Sequence, residues 1–257
     1  MDLPTREAQL WFNATNRIFD IMVLRGYTAI DYERPETLAQ FRQEYLPKWQ
    51  KLRNNEGENH RNAYMKFEKP HHIMFVGMYV NIQLNKAAST AIVEVLEQAK
   101  KISNPEAEQS DERIATQIRA IIVSKKSDLV NQTAKSLRNL GPTSIPRSEQ
   151  DPHITRIKLQ YFSLEELQTD PLNHVMQSQV LRQITDEDEK ERLRLQTVSG
   201  LTNKDSELRE QLPLIWTTDP VVKWYGAEVG DVFFFLRKLG RKPTIYYRYV
   251  VPSLERN

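Results

Sequence analysis

The chain has 257 residues and a formal net charge of only +2, from 36 basic and 34 acidic side chains. That balance excludes a protein that grips nucleic acid through a large basic excess alone, so any DNA contact has to be local or shared with partners. The absence of cysteine excludes disulfides, thiolate zinc sites and cysteine nucleophiles, and with a mean hydropathy of −0.61 no apolar run approaches the ~20 residues of a membrane span. The polar start MDLPTREAQ carries no signal-peptide core, so an intracellular protein is expected.

Residues 5–25 have the spacing of an amphipathic helix, with Trp11, Ile18 and Met22 on one face, Phe19 widening it and Gly26 as its stop. A second helix is expected from near Pro35, carrying Leu38, Phe41 and Tyr45 until Pro47 disturbs it. NNEGENHRN (54–62) is a solvated loop. IMFVGMYV (73–80) is a buried strand, and 87–102 carries Ile92, Val95, Leu96 and Ala99 at helical spacing. After the polar loop 103–112, QIRAIIVS ends a second strand at Ser124. Ser127 caps a helix bearing Val130, Ala134 and Leu137, closed by Gly141-Pro142. In RIKLQYF, Ile157, Leu159 and Tyr161 alternate as on a half-buried strand. Strand–helix–strand–helix–strand predicts an open α/β sheet for the N-terminal domain, residues 1–168.

A short helix from Ser163 and a hinge near 169–173 lead into a C-terminal domain, residues 169–257. There Thr185 is read as the cap of DEDEKERLRL, whose acidic first turn suits the helix dipole. The densest apolar and aromatic run is 211–251. LPLIW is a short extended piece, TTDP a helix start with Thr218 or Asp219 as cap and Pro220 in the first turn, and VVKWYG a short helix closed by Gly226. Gly230-Asp231 turns into the strand VFFFLRKL, and a corner at 239–242 leads to the strand TIYYRYVV. The expected architecture is therefore an α/β N-terminal domain followed by a small α+β C-terminal domain that ends in a hairpin.

Leu212-Pro213, Asp219-Pro220-Val221, Lys223, Tyr225-Gly226, Gly230-Asp231-Val232 and Tyr247-Arg248-Tyr249-Val250 stand in an order that resembles one family closely. It is the small fifth subunit shared by the eukaryotic nuclear RNA polymerases, together with its archaeal counterpart. Trp11 and Arg25-Gly26-Tyr27 resemble the beginning of the same family, so the likeness reaches both ends of the chain. This chain departs in having Leu214 where the family has a basic residue, Trp224 before the Tyr-Gly pair, and LGRKP at the final turn; residues 43–70 and 100–115 read as insertions. These departures mark a divergent member, of viral or cellular lineage.

The resemblance implies a non-catalytic subunit of a multisubunit DNA-directed RNA polymerase. Its C-terminal domain would dock on the largest subunit, through Leu212, Pro213, Asp219, Pro220, Val221, Lys223, Trp224, Tyr225, Gly226, Gly230 and Arg248. Its N-terminal domain would form a jaw along downstream duplex DNA and meet transcription regulators. The place of work would be the nucleus for a cellular eukaryotic protein, the cytoplasm or virion for a viral one. No cofactor or membrane is implied.

Few residue groups suggest chemistry of their own. His71-His72 point apart on a strand and have no third ligand at suitable spacing, so a strand-edge pair fits better than a metal site. With eight glycines spread singly, neither phosphate-loop nor dinucleotide fingerprint exists. DEDEK (186–190) lacks the glycine and distal glutamate of a calcium loop and reads as a solvated helix start. Three consecutive phenylalanines, Phe233 to Phe235, cannot all face one core, so the domain's own helix, a partner, or both must cover the second sheet face. RKLGRK (237–242) suits a phosphate, an acidic partner or a plain exposed turn. Lys125-Lys126 at a strand-to-helix junction suit a weak, sequence-independent phosphate contact, with a solvated loop as the alternative. A metal-dependent nuclease would need acids on the strands IMFVGMYV and QIRAIIVS, which carry none. A free adaptor that binds polymerase transiently through the same fold is the functional alternative.

Overall fold

The computed structural model describes residues 5–30, 32–47, 64–70, 72–80, 117–126, 157–174, 177–198, 208–237 and 242–253. The chain divides into two compact units, Met1–Thr169 and Asp170–Asn257. The helices expected at 87–102 and 127–140, with the cap Ser127, and the loops at 54–62 and 103–112 lie outside the described residues.

In the first unit, α1 (Thr5–Leu24) buries Trp11, Ala14, Ile18, Ile21 and Met22, residues spaced three and four apart on one face. Gly26, at φ +74, closes it: its amide donates to Val23 O and the Tyr27 amide to Met22 O, the paired bonds of a left-handed helix end. The strand order among the described residues is β1 (Thr28–Ala29), β2 (Tyr64–Lys69), β3 (His72–Tyr79), β4 (Gln117–Ser124), β5 (Ile157–Ser163). β1, β2 and β3 run antiparallel, and β3, β4 and β5 run parallel. α1 lies on the face bearing Phe67, Met74, Ile121 and Phe162, with Phe19 edge-on to Phe67 at 5.4 Å. Phe75, Ala120 and Ile122 on the opposite face are buried as well, as a sheet with parallel crossover strands requires.

Two elements depart from the expectation. The second helix, α2 (Leu38–Gln40), begins at Leu38, not near Pro35, because Thr37 is its cap, its side chain accepting from the Gln40 amide. After Gln40 it widens into a π-helical turn (Phe41–Tyr45), where the Leu46 amide reaches Phe41 O five residues back. And residues 64–69, read as part of an insertion, are an integral strand, paired along its length with β3.

Beyond β5, Ser163 and Glu166 cap each other: the Ser163 amide donates to Glu166 Oε2 and the Glu166 amide to Ser163 Oγ. This starts the 3₁₀ turn Glu166–Gln168. Gln168 Nε2 then donates to Leu10 O and Leu164 O, tying the turn to α1.

The second unit opens with an Asx turn, Asp170 Oδ1 accepting from the amides of Leu172 and Asn173. Its sheet has the order β6 (Gln179–Ile184), β8 (Val232–Arg237), β9 (Thr244–Val251), β7 (Leu214–Trp216). β6, β8 and β9 are antiparallel and β7 joins β9 in parallel. α3 (Glu187–Val198) and the short α4 (Leu208–Gln211) supply Leu193 and Leu208 to a cluster with Ile184 and Val232. The cap of α3 is Asp186, not Thr185: its carboxylate accepts from the Glu189 amide at 2.9 Å, one residue further along than expected. α5 (Pro220–Tyr225) covers the other face, packing Val221 and Val222 on Ile215, Phe233, Phe235 and Val250. The three phenylalanines are thus divided between faces. Phe233 and Phe235 lie under α5, and Phe234 stacks on Tyr247 across the hairpin, centroids 4.8 Å apart.

Candidate functional site

The motif in the second unit is a short helix held at both ends by local chemistry. Asp219 is extended (φ −60, ψ 133) and its Oδ1 accepts from the Val221 amide at 2.9 Å. Pro220 occupies the first turn, where no amide proton is needed. At the other end Gly226 takes φ +64, which lets its amide reach Lys223 O and the Ala227 amide reach Val222 O. The helix is only six residues long. These caps and its buried face, not intrinsic propensity, have to hold it.

Around this helix the residues singled out by sequence fall into two groups. Val221 and Trp224 are buried in the unit's own interior and support the surface from beneath. Leu212, Asp219, Lys223, Tyr225, Gly226, Gly230 and Arg248 are half-buried, and Pro213 and Pro220 are exposed. Tyr225 meets Phe233 edge-on at 5.4 Å, and burial pushes its phenol up from the usual range. The Arg248 guanidinium stands 5.7 Å from the Tyr246 ring centre. Gly230, at φ +98, accompanies the turn that Asp231 locks: Asp231 Oδ2 accepts from Gln183 Nε2 and the Glu228 amide, and Oδ1 lies 3.7 Å from Lys190 Nζ. Of the basic corner, Arg237 and Lys242 are exposed, and residues 238–241 lie outside the described residues.

On the sheet face opposite α5 stand large apolar side chains in solvent. Leu214 is 46% and Trp216 52% exposed on β7, the sheet's edge, and Ile245 is 55% exposed. The pairing Leu214↔Tyr249 places Leu214, Trp216, Tyr249, Tyr247 and Ile245 on one face. Alternation had part of the signal for this: Ile215 faces the cluster under α5, so Leu214 and Trp216 on either side of it stand on the opposite face of the sheet. With Pro213 leading in, this makes an apolar, aromatic surface of the kind that marks protein interfaces.

Comparisons with known proteins bear on this unit. Residues 169–250 match the family described as RNA polymerase Rpb5, C-terminal domain. A stretch of 70 residues, 27% of this chain, is 44% identical to the DNA-directed RNA polymerase subunit Rpo5 of Methanococcoides burtonii and covers 80% of that protein. The chain belongs to the Rpb5 family. It is a subunit of a DNA-directed RNA polymerase, and the matched span falls almost wholly in the second unit.

In the first unit of this Rpb5-family chain, the two candidate phosphate-binding lysines differ. Lys125 Nζ is 2.6 Å from Glu7 Oε1, an ion pair that offsets its charge, whereas Lys126 is exposed and its amide donates to Glu165 Oε2. His72 begins β3 opposite Lys69, and His71 lies outside the described residues. Among the described residues no group of three or more His, Asp or Glu side chains is placed to hold a metal ion. None of the helices among them is long and apolar enough to cross a membrane. A polar cleft of about 540 Å³ opens between α1 and residues 34–36, and within it Asp20 meets Arg34 at 2.8 Å and Arg17 at 3.3 Å.

Proposed function

We propose that this chain is a non-catalytic polymerase subunit that docks on the largest subunit through its second unit, while its first unit forms part of the jaw around downstream DNA. The observation that carries the docking is the coincidence of two things in one span. The stretch 169–250 matches the Rpb5 C-terminal domain, and it bears Leu214, Trp216 and Ile245 in solvent although the unit has closed its own core. Large aromatic and branched side chains left in water are the usual anchors of a permanent interface. The nucleotidyl transfer belongs on this reading to the large subunits. The jaw role is supported by the family resemblance, including Trp11 and Arg25-Gly26-Tyr27 on and just after α1. The protein works wherever its polymerase works: the nucleus of a eukaryotic cell, or the cytoplasm or virion in a viral setting.

Gentle affinity purification of the tagged chain, followed by a sizing column and mass spectrometry, tests this directly. Elution with two very large polymerase subunits in constant proportion through moderate salt is the expected result. A chain that runs alone, or whose polymerase content washes off with salt, is a free adaptor instead.

A further inference from the structure

The two edges of the sheet in the second unit are finished differently. At the β6 edge a bulge between Val180 and Arg182 breaks the ladder, and Arg182 is paired with Glu189 at 2.6 Å. Bulge and charge both discourage an added strand. At the other edge β9 (Thr244–Val251) outruns β7 (Leu214–Trp216), which pairs only with Tyr249, Val250 and Val251.

The backbone shows what is left over. Val250 bonds towards the β8 side, its amide donating to Asp231 O and its carbonyl accepting from the Gly230 amide. Bonding direction alternates along an antiparallel strand, so Arg248 and Tyr246 also turn their peptide groups to β8, while Tyr249, Tyr247 and Ile245 turn theirs outward. Outward, the Tyr249 amide is taken up by Pro213 O. For Tyr247 and Ile245 the described residues supply no strand, and Ile245 is 55% exposed. Their amides and carbonyls therefore stand in solvent, continuing the ladder that β7 occupies further along.

Beside this edge lies an unanswered charge. Arg248 is half-buried, its Nε is buried without a hydrogen-bond partner among the described residues, and its guanidinium rests 5.7 Å from the Tyr246 ring centre. A guanidinium so placed is completed by a carboxylate, which it can bind through two parallel bonds. Arg237 and Lys242, both exposed, stand at the far end of the same stretch, where Arg237 pairs with Thr244. The open edge is thus apolar and aromatic along its length and cationic at both ends. Two copies set edge to edge would bring these cations together, so an extended segment carrying carboxylates is favoured over a second copy of this chain.

We infer that Thr244–Arg248 takes an extended, acidic segment of a polymerase subunit as an added strand, its backbone bonded to Ile245 and Tyr247 and one of its carboxylates seated on Arg248. Main-chain bonds supply the affinity and the Arg248 contact sets the register. The identity of the occupant rests on the docking reading above, to which this adds a main-chain contact at the sheet edge.

The polymerase recovered with the tagged chain, treated with nuclease, is the probe. Hydrogen exchange of the Ile245 and Tyr247 amides is compared between free chain and complex by mass spectrometry with fragmentation. The Tyr249 amide, already bonded to Pro213 O, is the protected reference in both. Exchange slowed at least about tenfold at both amides in the complex is expected. Ile245→Pro removes one outward amide and no bond to β8, and should speed dissociation from the polymerase about tenfold; Ile245→Thr, which keeps that amide, should stay within about twofold of the parent. Arg248→Gln should also dissociate about tenfold faster. Copurification in constant proportion, with both amides exchanging as in the free chain or with Ile245→Pro held like the parent, overturns the added strand and leaves the docking reading standing. Failure to copurify overturns the docking reading and the occupant with it. Protection that appears only after a DNA duplex is added overturns a protein occupant. The exchange comparison uses the parent chain, so it decides the matter even where Ile245→Pro does not fold.

Discussion

Single residues in the second unit hold turns in place with unequal leverage. Asp219 satisfies one amide at the start of α5, so Asp219→Ala should cost about 1 kcal/mol, the usual worth of a helix cap, as read by urea unfolding. Asp231 does more. It is buried, accepts from Gln183 and the Glu228 amide, and lies 3.7 Å from the buried Lys190, so Asp231→Ala leaves two donors without their acceptor and takes the farther of two carboxylates from Lys190, which keeps Glu187 at 2.8 Å. About 2–3 kcal/mol is expected from the same measurement, with Asp231→Asn intermediate. Tyrosines give a pH signature. Burial raises Tyr45 to about 12 and raises Tyr225 as well. In the unfolded chain these phenols lose their protons near pH ~10, before the folded ones do. The unfolded state thus binds fewer protons in that window, and stability falls as pH rises from about 10 towards 12. Absorbance titration should show late-ionising tyrosines that join the normal class once the chain is denatured.

Elements whose signals are local are legible in the sequence, and those fixed by partners far along the chain are not. TTDPVVKWYG reads as a capped helix because Asp219, Pro220 and Gly226 act on amides within their own turn. The strands β3, β4, β8 and β9 announce themselves by apolar density. β2 escapes such a reading although Met65 and Phe67 face inward and Lys66 and Glu68 outward; its polar half resembles a loop until β3 is placed beside it. β6 escapes it for a different reason. A bulge between Val180 and Arg182 shifts its pairing with β8, so the alternation that marks a strand is broken within the strand itself. For the proposed docking surface, the motif lies in the unit that bears the exposed apolar side chains. Val221 and Trp224, however, are expected at the surface and are buried, while Leu214 enters the sequence reading only as a departure from the family. Trp216→Ser and Leu214→Ser should leave unfolding of the free chain within about 0.5 kcal/mol of the parent, as surface changes do. They should strip it from the polymerase in the affinity experiment. Retention at parental levels would show that the docking surface lies elsewhere.

For the molecule as a whole, the division at Thr169/Asp170 carries its own expectation. The second unit has clusters on both faces of its sheet, so residues 170–257 expressed alone should unfold cooperatively and still bind polymerase. A non-cooperative fragment would mean that the first unit is needed for its fold. A subunit made before it is assembled also has to survive free in the cell, and β7 shows how. It is an edge strand with apolar side chains, the profile that invites strand-to-strand aggregation. Yet it is three residues long, Pro213 stands at its entry, and the TTDP turn ends it at once. Trp216 and Leu214 therefore stand on a ledge too short to template a second copy, and under the proposed docking the orphan chain keeps its adhesive surface without becoming a seed for its own precipitation.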